Sequence, residues 1–372
     1  MLGRFKNLNI LFVSTVDLDK NGISTFIISH AMSLAKKNEV SIVAPNKVQY
    51  IIKRNLSKHN ILLYEFPNRK KHPLKYFFNL ISIIKNHHYD VLHVNGNSST
   101  MALELIAGKI AGCKNRIAHS HNTTTEHPII NKILYPIFNF GLTERMACSD
   151  EAGKWLFKDK KFIIIQNGVD LRLYKPDIRK RNKIRNQFNL NDNDIVLGNI
   201  GVFNYQKNQQ FLIKLLSDLN SSYKLILIGD GEKKSELLTQ VKTLNLADRV
   251  IFAGKINNVS DYLSAFDLFL MPSRFEGLPF ALVEAQASGL KCVVSNRISH
   301  SSNLTDNVNY LNIENYTKWV DFIKKIKIES FNSRIKNIQD IQELISNKGY
   351  DEKENLKLFN KTLDELLFLN NA

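Results

Sequence analysis

A chain of 372 residues, 44% hydrophobic and 23% charged, has the composition of an ordinary globular protein and exceeds the usual size of one hydrophobic core, so two domains are expected. Cys113, Cys148 and Cys292 stand far apart with no CxxC pair, which argues against a disulfide framework or a zinc site and fits a reducing compartment. The net charge of +16 is uneven: residues 1–175 hold 25 Lys/Arg against 12 Asp/Glu, which suits an anionic partner or, equally, a lysine-rich composition.

The N-terminus has a basic start, but its apolar run ILFVS is too short for a signal-peptide core and reads as a first strand. Nowhere do about 18 apolar residues follow one another, so no bilayer span is expected and the cytoplasm is the expected location, with peripheral contact at the inner face of the membrane. Strands are then expected at Leu8–Ser14, Glu39–Ala44, Leu62–Phe66, Asp90–Asn95, Arg116–Ser120, Arg145–Ser149 and Phe162–Gln166. Between them lie stretches such as Ile23–Lys37 and Met101–Gly112 with apolar residues every three or four positions. After turn signals, a proline and a charge run near Leu173, the pattern restarts with DIVLGNIGVF, YKLILIGDG, DRVIFAGK, DLFLMPS and KCVVSN. Strand-helix alternation in both halves predicts an α/β chain of two Rossmann-like, doubly wound parallel-sheet domains facing a cleft, 1–172 and 173–350, followed by an amphipathic helix in 351–372. In such sheets ligands bind in loops that follow strands.

The stretch SRFEGLPFALVEAQASGL places Glu276 and Glu284 with seven residues between them, around a Gly-Leu-Pro turn. Because DLFLMPS ends at Ser273, RFEGLP is a strand-to-helix loop with Pro279 expected in the helix's first turn. Gly277 would let backbone approach a phosphate and the helix N-terminus would supply partial positive charge. Carboxylates repel phosphate, so their task there is to accept hydrogen bonds from neutral hydroxyls, which points to a nucleotide sugar. Alternatively the two glutamates are a dipole-favoured residue and a solvated one.

FEGLPFALVEAQASGLKCVVS resembles the donor-site signature of family 4 retaining glycosyltransferases with the GT-B fold, and NGIST, AHSHN, ACSDEAG, IQNGVD, GVFNYQKNQ and IGDGEKKSEL fit the same family in order. The whole chain is most similar to the branch that builds capsular polysaccharides and exopolysaccharides. The resemblance implies that the last helix crosses back onto the first domain. It implies transfer of a hexose or N-acetylhexosamine from a nucleotide-diphosphate sugar, a UDP-sugar first, to a lipid-linked or oligosaccharide acceptor. It assigns Glu276 to the donor-sugar hydroxyls, the Gly277 and Leu278 amides to sugar or phosphate, and Glu284 to the ribose. Lys207, in the loop after Gly201, would neutralise the leaving diphosphate. The family places an arginine after that glycine, where this chain has Val202, so Arg274 is a candidate to assist. Asn21 and Gly22 match the glycine loop near donor phosphate and acceptor, His121 the histidine near the transferred sugar, with His93, Asn95 and Asn122 on the acceptor side and His119 structural. Gly254, Lys255 and Ile256 would meet the base. The family needs no metal or other cofactor, and attributes retention to same-face attack with the leaving phosphate as base, so Glu276 is not expected to be a nucleophile despite the paired-carboxylate logic of glycoside hydrolases.

Two other readings compete. A nucleotide-sugar epimerase of the same fold would need no acceptor, and the E-x7-E and NGVD combination speaks against it. A nucleic-acid-binding protein would use the positive charge, but no such motif is present and no nucleic-acid partner is expected. If a membrane is the anionic partner, Pro67–Tyr89 is basic, aromatic and apolar together, as a membrane-facing segment or an ordinary helix with a basic outer face would be.

Overall fold

The computed structural model describes residues 7–19, 22–125, 127–276 and 279–369. It divides into two compact units, Met1–Asn167 with Lys353–Ala372, and Gly168–Glu352.

In the first unit the strands β1 (Asn9–Ser14), β2 (Glu39–Pro45), β3 (Leu62–Phe66), β4 (Val91–Gly96), β5 (Asn115–Ser120), β6 (Glu144–Ala147) and β7 (Ile163–Ile164) form one sheet in the order 3-2-1-4-5-6-7. Between them run α1 (Gly22–Leu34), α2 (Tyr50–Lys58), α3 (Pro73–His87), α4 (Ala102–Ile110), α5 (Pro128–Gly141) and α6 (Asp150–Phe157). The second unit opens with α7 (Ile178–Gln187) and continues β8 (Ile195–Ile200), α8 (Gln209–Ser217), β9 (Tyr223–Ile228), α9 (Lys234–Thr243), β10 (Val250–Gly254), α10 (Val259–Ala265) and β11 (Leu268–Met271). It closes with α11 (Phe280–Ala287), β12 (Cys292–Ser295), β13 (Val308–Leu311), α12 (Tyr316–Lys325) and α13 (Phe331–Asn347); its strand order is 10-9-8-11-12-13. A last helix, α14 (Glu352–Leu369), belongs to the first unit from Lys353 onward. Strand pairing is parallel in both sheets.

The apolar runs of the central strands follow from this topology, because a parallel sheet covered on both faces has no wet side. In β1, Ile10 and Phe12 pack toward α1, α2 and α14, while Leu11 and Val13 pack toward α3, α4, α5 and α6. The second sheet divides likewise, Phe269 and Met271 on one face and Leu268 and Leu270 on the other. Helix α14 places Phe359, Leu363 and Leu367 in the first of these cores.

Four local expectations change. Strand β13, VNYL, is short and flanked by Asn and Asp, so its pattern did not mark it as a strand. The charge run after Leu173 is not a bare linker: it contains α7, capped by the Asp177 side chain accepting from the Arg179 amide at 2.8 Å. The units change at 167/168 and 352/353 rather than at 172/173 and 350/351, because Val169, Leu171 and Tyr174 are buried in the second unit's core. Pro279 is the N-cap of α11 with extended backbone, one residue before the first turn.

Candidate functional site

In the second unit the loops after β8 and β11 are tied to each other. The Arg274 amide donates to the Gln206 carbonyl at 2.8 Å, Gln206 Nε2 to the Phe275 carbonyl at 3.0 Å, and Asn208 Nδ2 to the Pro272 carbonyl at 3.2 Å. Asn208 stands in left-handed backbone just before α8, a conformation asparagine tolerates, and the Asn204 side chain accepts from the Lys207 amide at 2.9 Å. The lacing brings Lys207 Nζ to 2.6 Å from Glu276 Oε1, with both side chains largely buried. Glu276 also pairs by a single backbone bridge with Ile298. Gly229, at φ 142°, lies against the Gly201 carbonyl, where any Cβ would collide, so the close approach of the GDG turn after β9 to the start of the loop after β8 requires a glycine.

Eight residues beyond Glu276, the Glu284 carboxylate accepts from the Tyr174 hydroxyl at 2.7 Å. Burial pushes the Glu284 carboxyl up to about 7, the tyrosine bond only partly opposing it. Nothing in the sequence marked Tyr174: its motif, LYKP, is a turn signal, and its partner lies 110 residues away.

The remaining donor-side expectations fall as follows. Arg274 stacks its guanidinium 4.4 Å from the Tyr205 ring centroid and donates to Asn208 Oδ1 at 3.3 Å, so it braces the lysine loop. Val202 is 56% exposed. Gly254 has φ 69° and its carbonyl accepts from the Gly229 amide at 3.0 Å, Lys255 is exposed, and Ile256 packs against the core. Gly277 and Leu278 lie outside the described residues, as does Asn21, while Gly22 begins α1.

In the first unit, β4 and β5 end side by side. The His121 amide donates to the Gly96 carbonyl at 3.1 Å, and His121 Nε2 is 3.0 Å from Asn95 Oδ1, so the ring presents Nε2 as a donor to the amide oxygen. Asn95 is itself held by donating to the His93 carbonyl at 3.1 Å. His121 stacks on His119 with centroids 4.3 Å apart, and Phe26 of α1 meets His119, His121 and His30 at 4.5, 5.1 and 3.8 Å. His93 lies edge-on to Phe12 at 5.0 Å, and Phe359 from α14 closes on His30 at 4.8 Å. Burial drives the His30 and His121 imidazoles down to about 3 and those of His93 and His119 well below their usual value. Four neutral rings result.

His93 and Asn95 are fully enclosed, so the structure gives them a supporting place behind His121 rather than a surface for an acceptor. Asn122 is exposed, its side chain accepting from the Thr123 amide at 2.8 Å. Among the described residues no group of three or more His, Cys, Asp or Glu is arranged to hold a metal ion.

Residues 20–173 match the family described as Glycosyltransferase Family 4, and residues 180–336 the family described as Glycosyl transferases group 1. Among curated proteins the chain is 29% identical over 304 residues to EpsF of Bacillus subtilis, covering 77% of this chain and 78% of that one. It is 30% identical over 240 residues to the UDP-Gal:alpha-D-GlcNAc-diphosphoundecaprenol alpha-1,3-galactosyltransferase of Escherichia coli, covering 60% and 62%. Among solved structures it is similar to HepE of Anabaena in complex with UDP and glucose, with a TM-score of 0.76 and 20% identity over 96% of this chain and 100% of that one, which establishes the two-domain GT-B fold. The chain belongs to the family 4 glycosyltransferases.

Proposed function

We propose that the protein is a retaining glycosyltransferase that moves a hexose or N-acetylhexosamine from a UDP-sugar onto a lipid-linked oligosaccharide in capsular or exopolysaccharide synthesis. The observation that carries this reading is the Lys207–Glu276 pair held at 2.6 Å by two laced loops. An ammonium has three donors and Glu276 takes one, which leaves two for diphosphate oxygens; the carboxylate keeps lone pairs for sugar hydroxyls. One pair can therefore neutralise the leaving group and orient the sugar it leaves behind.

Glu284 suits a ribose. A carboxyl poised at about 7 ionises when a ligand donates hydrogen bonds to it, and ribose hydroxyls are such donors. On the acceptor side, His121 is kept neutral and oriented by Asn95, which takes its Nε2–H, so Nδ1 can accept a hydrogen bond near the transferred sugar without bringing a charge. Departure of the diphosphate breaks the anomeric carbon–oxygen bond, the acceptor oxygen attacks from the same face, and the departing phosphate takes its proton. The residues named here accordingly include no enzymic nucleophile and no metal. The Escherichia coli relative is named for a UDP-sugar donor and a diphosphoundecaprenol-linked acceptor, which supports the same classes for this chain. The basic N-terminal half suits a cytoplasmic, peripheral position on an anionic membrane surface.

The test is a calorimetric screen against UDP, GDP and ADP with the wild type and Glu284→Ala. Binding of one nucleotide, weakened about tenfold by the substitution, is the expected result. Absence of binding to all three would overturn the reading.

A further inference from the structure

Helix α5 is amphipathic the wrong way round for a surface helix. Ile129, Ile130, Ile133, Ile137 and Phe140 are each 46% to 75% exposed. At 3.6 residues per turn they share an arc of about 100°. Of the other exposed positions in the helix two are prolines and one, Lys132, is charged. The polar residues are used elsewhere: Asn131 Oδ1 accepts from the Ser99 amide at 2.8 Å, and Asn139 Oδ1 from Arg145 Nη2 at 3.1 Å. Isolated exposed apolar side chains need no explanation, but four isoleucines and a phenylalanine on one helical face form a patch that water-soluble surfaces avoid.

We infer that the outward face of α5, with a basic margin on α3 and α4, is the surface by which the protein settles on an anionic lipid bilayer. Charge selects this occupant. No Asp or Glu occurs in residues 127–143, and none in residues 66–89, which include α3. Helix α4 packs against both α3 and α5, so the three form one layer. From α3 come exposed Leu74 and Phe78 beside Lys71 and Lys75. From α4, Lys109 lays its ammonium 3.2 Å from the Phe140 ring centroid and donates to the Phe140 carbonyl at 3.2 Å, an apolar stem with a cationic tip. Apolar side chains framed by lysines and free of carboxylates match lipid headgroups over an acyl boundary. A second copy of the same face would set lysines against lysines with no carboxylate to pair them. No described helix is long and apolar enough to cross a bilayer, so the surface lies on the membrane rather than in it. The expected segment Pro67–Tyr89 thus supplies the margin, because Tyr76, Leu80 and Ile84 turn inward, and the apolar face itself comes from α5.

Position adds a functional sense that rests on the proposed lipid-linked acceptor. Helix α5 begins seven residues after His121, and both follow the carboxyl end of β5. An acceptor anchored in the bilayer plane would arrive beside the loop that carries His121 and Asn122.

The test is co-sedimentation of the full chain with vesicles rich in phosphatidylglycerol and with vesicles of phosphatidylcholine alone. The wild type should partition at least tenfold better onto the anionic vesicles, with binding that falls as salt rises. The triple variant Ile129→Ser/Ile133→Ser/Ile137→Ser should lose at least tenfold of that binding while melting at the wild-type temperature, since all three side chains face outward. The triple variant Lys71→Ala/Lys75→Ala/Lys132→Ala should lose the preference for anionic lipid. A wild type that stays in the supernatant, or an isoleucine variant that binds as before, overturns the inference. So does a wild type that elutes at twice its 42.7 kDa and ignores vesicles, which would make the face an interface between copies. Vesicle binding without binding of any nucleotide would leave the docking face standing and remove the transferase reading; nucleotide binding without vesicle binding would do the reverse.

Discussion

In the first unit four imidazoles, of His30, His93, His119 and His121, are packed among Phe12, Phe26 and Phe359, with no carboxylate among the described residues paired to any of them. In the second, Lys207 and Glu276 are also largely buried but remain an ion pair, and Glu284 stands between these extremes with one tyrosine hydroxyl. Under the proposed function the difference has a use: a neutral, aromatic environment suits an acceptor hydroxyl, and a fixed cation suits a diphosphate. Acid, therefore, should separate the two.

The largest expected effect is on stability. Folded pKa values of the four histidines are depressed below the unfolded value near 6.5, so the unfolded chain takes up protons that the folded chain refuses. Their contribution is present above about pH 6.5 and is lost as pH falls, each site adding up to about 1.4 kcal/mol per pH unit. Glu284, raised to about 7, has the opposite sign: its contribution is full below its unfolded value and fades as pH rises through about 7. Thermal melting from pH 7 to pH 5 should show the midpoint falling by on the order of 10 °C. His93→Leu should flatten the slope by removing one site. A slope unchanged by that substitution would break the assignment of acid lability to the cluster.

Next in size is Lys207→Met. If Lys207 neutralises the leaving diphosphate, as proposed, its loss should lower kcat by about 100-fold or more. Removing one partner also leaves a buried carboxylate unpaired, at a cost of about 3 kcal/mol in urea unfolding. The double variant Lys207→Met/Glu276→Gln should regain most of that stability and none of the activity. Joint recovery of both would show that the pair is structural and that the charge at position 207 has no part in transfer.

The arrangement of two parallel sheets was readable because covered strands must be apolar on both faces, and VSIVAP or LILIG leaves little alternative. Strand β13 escaped because four residues among Asn and Asp carry too little periodicity. Glu276 and Lys207 were legible as residue types in loops that follow strands, and Glu284 as one on the helix that follows, but their geometry was not. The ion pair depends on Gln206 and Asn208 reaching across 64 to 69 residues to backbone carbonyls, and side-chain-to-backbone lacing leaves no pattern in sequence. His93 and Asn95 show the reverse limit. A polar residue ending a strand looks the same in sequence whether it faces outward or, as here, is enclosed and holds a neighbouring side chain.

Tyr174→Phe probes the smallest effect and sharpens the middle case. The hydroxyl donates to Glu284 at 2.7 Å, which favours the ionised carboxyl, so its removal should raise the titration midpoint above about 7 and cost about 1 kcal/mol of stability. If Tyr174 positions Glu284 for a ribose, nucleotide affinity measured by calorimetry should fall about fivefold near pH 7, where the variant must first give up a proton. That deficit should narrow toward pH 9, where the carboxyl is ionised in both proteins. If instead the tyrosine occupies the place a ribose hydroxyl would take, the variant should bind more tightly at every pH. The two outcomes differ in sign and in pH dependence, so one titration series decides whether the bond seen here prepares Glu284 for its ligand or stands in for it.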